Sequence, residues 1–88
     1  MKYVVETPHT KDECLKALDE QLSIGPDVLK QTFYGCMKGD HTGYAIVDAK
    51  DEADARKIVP TFLLKKARIV EVGQFTPEMI RSFHSKVA

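Results

Sequence analysis

Apolar and polar positions change period several times along the chain, and each change marks an element. Lys2 to Thr7 is a short run rich in Tyr3, Val4 and Val5 and closed by Pro8, which predicts a strand. Thr10 followed three residues later by Glu13 forms a capping-box pattern. Behind it Cys14, Leu15, Leu18 and Leu22 recur at helical spacing until Gly25-Pro26 stops the pattern. Pro26 opens a single short turn through Val28 and Leu29. Two strands follow, about Gln31 to Lys38 and Gly43 to Ala49, joined by the polar turn Gly39-Asp40-His41-Thr42. A second helix is expected from near Asp51, with Ala53, Ala55, Ile58 and Val59 as its apolar side. Pro60 ends or kinks it, and Thr61 to Leu64 would prolong it by a turn. Ala67 to Val72 predicts a fourth strand. Thr76-Pro77 pairs a cap with proline at the first helical position, starting a C-terminal helix over about 77–86 whose stripe is Met79, Ile80 and Phe83.

The order β-α-β-β-α-β plus a last helix is the split-βαβ pattern of ferredoxin-like α+β folds, filled by one domain over residues 1–88. Right-handed crossovers make the first two strands parallel, with the third between them and the fourth outside the first. Both internal helices then lie on one face of an antiparallel sheet. Yet Tyr3-Val4-Val5, Tyr44-Ala45-Ile46-Val47 and Ile69-Val70 are apolar on both sides, where a half-solvated sheet would alternate. The second face therefore needs a cover, either the C-terminal helix folded back or a second copy of the chain. In length, element order and two-sided apolar strands, nearly the whole chain resembles the ferredoxin-like dimeric α/β-barrel superfamily. That resemblance implies a homodimer built through the sheet.

Composition narrows the function classes. Thirteen Lys and Arg balance thirteen Asp and Glu, which argues against nonspecific attraction to nucleic acid or to an anionic membrane. No apolar run reaches membrane-spanning length. The N-terminal segment meets Glu6 and Pro8 before a signal-like stretch forms, so the cytoplasm is the expected compartment. There Cys14 and Cys36 would be free thiols.

The predicted topology brings candidate chemistry to one edge of the sheet. His9 follows the first strand, Cys14 opens the helix it feeds, Cys36 lies near the end of the second strand, and His41 sits in the turn beyond. Imidazole and thiolate suit zinc, copper or nickel, so His9, Cys36 and His41, with Cys14 nearby, form a candidate transition-metal set. His84 would join only if the last helix docked at this edge. Without a metal, Cys14 and Cys36 read as small buried hydrophobes and the histidines as exposed loop residues. Lys65, Lys66 and Arg68 start the fourth strand at the same edge. Arg68 shares a side with Val70 and Val72 and is the candidate for a buried anion contact, beside His9 and His41 as ligand-binding residues.

The leading expectation is a non-enzymatic domain that binds a small ligand or a metal ion. The alternative is a small cofactor-independent enzyme, isomerase- or oxygenase-like, as the superfamily resemblance implies. Its chemistry would rest on Cys36 paired with His41 or His9, or on His41 beside Asp40 as an acid/base. A third reading is RNA binding. Thr42-Gly43-Tyr44-Ala45-Ile46-Val47-Asp48-Ala49 resembles the longer signature of the RNA-recognition motif at its glycine, first aromatic, alanine and valine, with Tyr3 as the first-strand aromatic. Thr42, Ile46 and Ala49 depart from that signature, and neutral charge denies it phosphate attraction.

Overall fold

The computed structural model describes residues 1–87 and the side chains of residues 1–85. Four strands, β1 (Lys2–Pro8), β2 (Thr32–Tyr34), β3 (Thr42–Asp48) and β4 (Arg68–Val72), form one antiparallel sheet in the order β2-β3-β1-β4. The helices are α1 (Cys14–Ile24), α2 (Pro26–Gln31), α3 (Glu52–Ala55) and α4 (Pro77–Val87). Short 3-10 turns cover Lys11–Glu13, Cys36–Lys38, Arg56–Ile58 and Thr61–Leu63. Among the described residues no helix is long and apolar enough to cross a membrane.

β1 and β3 are the paired centre of the sheet, in a register that sets Tyr3 opposite Val47 and Val5 opposite Ala45. Because side chains alternate across a strand, this register divides the sheet cleanly. Tyr3, Val5, Ala45 and Val47 point inward and pack with Ala17 of α1, Ala55 of α3, and Val59 and Leu63 from the chain beyond. Val4, Tyr44, Ile46, Val70 and Val72 line the other face. Tyr3 is therefore a core residue on the helix side, which removes the first-strand stacking aromatic that the RNA-binding expectation requires.

Three elements differ from the sequence expectation. In α1 the buried positions are Ala17 and Gln21, while Leu15 is 69% exposed and Leu22 is also exposed. Gln21 can be buried because its amide donates to Ile58 O at 3.3 Å and accepts a hydrogen bond from the Tyr34 hydroxyl; a satisfied amide escapes the usual burial penalty. The second helix is a single turn. Asp51 caps it by accepting from Asp54 N at 2.8 Å, but Val59 precedes Pro60 and is held extended at φ −82°, ψ 131°, as the proline ring demands. The chain then re-enters the core through Val59 and Leu63 in irregular turns instead of a continuous helix. β2 is also short, ending at Tyr34 where a 3-10 turn begins.

At the N-terminal end of α1 both capping-box bonds are present: Glu13 N donates to Thr10 Oγ1, and Thr10 N donates to Glu13 Oε1. Thr76 caps α4, accepting from Met79 N at 3.2 Å. Helix α4 does not fold back over the sheet. Its stripe of Met79, Ile80 and Phe83 is exposed, and so are Phe33 and Ile46 on the open sheet face. The radius of gyration is 16.2 Å, against about 12 Å for a compact chain of this length. The long dimension reaches 53 Å.

Candidate metal centre

Two loops at one end of the sheet build the site. The first leaves β1 at Pro8, carries His9, and enters α1 at Cys14 through the 3-10 turn Lys11–Glu13. The second leaves β2 at Tyr34, carries Cys36 in its own 3-10 turn, and returns to β3 past His41. A backbone bond from His9 N to His41 O, 2.9 Å, ties the loops together. Donor atoms of His9, Cys14, Cys36 and His41 all lie within 4.8 Å of one another.

The contacts inside the cluster are specific. His9 is 7% exposed, and its Nδ1 lies 3.0 Å from the carbonyl oxygen of Thr7. A carbonyl only accepts, so Nδ1 carries the proton and Nε2 presents a lone pair. That Nε2 is 3.3 Å from Cys36 Sγ, and Cys14 Sγ is 3.1 Å from Cys36 Sγ. A backbone carbonyl that fixes the tautomer of a ligating histidine is a recurring support of metal sites. The Nδ1 of His41 is buried with no hydrogen-bond partner. An unsatisfied buried group of this kind costs about 1–3 kcal/mol.

These separations bracket those around a tetrahedral ion, the two sulfurs lying closer and the full set spreading wider. Bond lengths of roughly 2.3 Å to sulfur and 2.0–2.1 Å to nitrogen place donor atoms about 3.3–3.8 Å apart. Two imidazoles and two thiolates also match the donor preference of zinc and neighbouring late transition metals. The same contacts disfavour an activated nucleophile. Burial, aided by the adjacent Cys14, pushes the Cys36 thiol up to about 11, the opposite of the shift that a reactive cysteine needs. Asp40 does not serve His41 as a partner carboxylate. It accepts instead from the Tyr44 hydroxyl, and that bond holds its carboxyl below the ordinary range.

The turn between Cys36 and His41 depends on two glycines. Gly39 has φ +87°, a left-handed conformation that glycine adopts without steric cost. At Gly35 a Cβ would meet Asp40 O at 2.7 Å and Asp40 Cβ at 2.9 Å. Gly35→Ala must therefore displace the strand of the loop that carries His41. An expected loss of about 1–3 kcal/mol should show as a lower denaturant midpoint. At Gly73 nothing lies within 4 Å of an added Cβ, so Gly73→Ala should leave the midpoint nearly unchanged.

The positive residues stand apart from this cluster. Arg68 is 70% exposed, its guanidinium 3.5 Å from Glu6, on the open face of the sheet with Val70 and Val72; it is not a buried anion contact. Lys66 pairs with Glu13 at 3.1 Å, tying the start of β4 to the α1 cap. His84 remains on exposed α4, outside the cluster.

Two features escaped sequence reasoning. Tyr34 walls the cluster, its ring centroid 6.3 Å from that of His9, and burial raises its hydroxyl to about 12 with help from Cys36 and Cys14. Two-residue periodicity back from Cys36 pointed to it. The second is the spacing itself, since His9-x4-Cys14 is mirrored by Cys36-x4-His41. Compared with known proteins, the chain matches no family model, no curated protein and no solved structure, and the site rests on its own chemistry.

Proposed function

We propose that this chain is a metal-binding domain that holds one transition-metal ion, zinc before nickel or copper, through His9, Cys14, Cys36 and His41. The observation that carries this reading is the orphaned, buried Nδ1 of His41 in a cluster whose four donor atoms lie within 4.8 Å of one another. Four protein donors fill a tetrahedral shell, which suits a structural or carrier role; a catalytic ion keeps an open position. Free thiols in such a set go with a reducing compartment such as the cytosol. We read the strand order β2-β3-β1-β4 as ferredoxin-like, and the domain as a homodimer associating through the open face of its sheet.

Metal analysis of untagged protein, with a titration of the metal-free chain, tests this function. One ion per chain is the expected result; binding far below one ion per chain for zinc, nickel and copper(I) alike would end it. The pH dependence has a definite sign. Both thiols must lose protons to ligate, and the Cys36 proton is held tightly up to about 11. Affinity should therefore rise with pH, roughly tenfold per unit for each thiol proton displaced. Proton release in weakly buffered calorimetry measures that number directly.

A further inference from the structure

We propose that α4 is an exchanged arm: in a two-fold pair, the α4 helix of each copy lies on the open sheet face of the other. This deepens the homodimer reading by naming the element that forms the contact.

The chain carries two apolar surfaces that its own fold leaves unpartnered. One is the open sheet face, where two adjacent hollows of about 440 and 400 Å³ share Val4 and Ile46. Phe33 and Tyr44 border the first, while Val72, Gly73 and Gln74 border the second. The other is the α4 stripe of Met79, Ile80 and Phe83, extended by Phe75, whose ring packs edge-on to Phe83 at 5.7 Å. Sheet against sheet would cover the first surface and leave the second in water. Helix against the partner's sheet covers both at once.

Area and charge agree with that occupant. The accessible surface is 6337 Å², whereas a compact monomer of 9.9 kDa exposes about 5,200 Å². The excess is roughly 1,100 Å² per chain, so a pair that hides it buries about 2,200 Å² in total, within the range of permanent homodimers. The charges flanking the sheet's apolar band are already satisfied within the chain, Lys2 with Asp48 at 2.6 Å and Arg68 with Glu6 at 3.5 Å. They leave an apolar occupant as the best match. Gly73 and Gln74 sit at the rim of the face, and the chain departs toward α4 from that rim. A two-fold axis makes each such contact twice, which is the usual geometry of small homodimers.

Two surface substitutions and their mixture test the arrangement. Ile46→Glu spoils the sheet face and Phe83→Glu spoils the arm; both positions are exposed within one chain, so each variant should keep wild-type far-UV circular dichroism and metal content. Sedimentation equilibrium at micromolar concentration should give twice the chain mass for the wild type and the monomer mass for either variant alone. Mixing the variants should restore dimers, because the intact arm of the Ile46→Glu chain can still bind the intact sheet of the Phe83→Glu chain. A monomeric wild type overturns the homodimer itself. A Phe83→Glu protein that remains dimeric, or a mixture that does not re-associate, overturns the exchanged arm while sparing metal binding.

Discussion

Exchanging Cys36 for serine should abolish stoichiometric zinc binding and, with it, the extra thermal stability that the ion confers. Cys36 is the hub of the cluster, 3.3 Å from His9 Nε2 and 3.1 Å from Cys14 Sγ. A serine hydroxyl keeps the shape but loses the thiolate, the donor for which zinc is most selective. An ion that binds only the folded chain stabilises it by about 2.7 kcal/mol at a hundredfold excess over its dissociation constant. For a domain of this size that is a rise in Tm of roughly 10–20 °C. Thermal scans with zinc and with a chelator should show that difference for the wild type and none for Cys36→Ser. Cys14→Ser and His41→Ala should behave alike if the four donors act as a set. A Tm indifferent to every metal would remove the functional reading at its root.

The second large effect concerns the core. Leu63→Ala should destabilise the fold by about 2–5 kcal/mol, a large part of the roughly 5–15 kcal/mol typical of a domain. Leu63 is fully enclosed, with no exposed surface. It also anchors a layer that has no continuous helix, since α3 is one turn and the chain from Arg56 to Leu63 runs in short 3-10 turns. Few side chains there can close around a cavity. Leu15, a leucine on a regular helix but largely exposed, should tolerate alanine within about 0.5 kcal/mol. Urea unfolding of the two variants side by side gives the comparison, and similar midpoints would contradict this account of the core.

That contrast shows what the sequence carried and what it could not. Element order was legible because its punctuation is local: Pro8, Gly25-Pro26 and Thr76-Pro77 act within a residue or two of where they stand. The meeting of His9, Cys14, Cys36 and His41 could be expected because β1 and β2 run parallel on either side of β3, so their C-terminal ends share an edge. The buried side of α1 was not legible. Leu15 and Leu22 outrank Gln21 on any scale of hydrophobicity, and Gln21 is buried only because Tyr34 and Ile58, far along the chain, satisfy its amide. The interruption at Pro60 was visible as a kink, but not the reversal that brings Leu63 into the core. Arg68 followed the strand period correctly and still ended in solvent, because among the described residues nothing covers the face it shares with Val70 and Val72.

The loops that hold the four donors have a further consequence for the order in which the molecule is made. All four lie between residues 9 and 41, and β1, α1, β2 and β3 are complete by residue 48. During synthesis the whole ligand set therefore leaves the ribosome before Leu63 and β4 do. An ion captured at that stage would pin the β1–α1 and β2–β3 connections in register while the edge strand and its core plug have yet to emerge. Translation, which delivers chain from the amino end, would thus present the four donors to an ion before the sheet is finished.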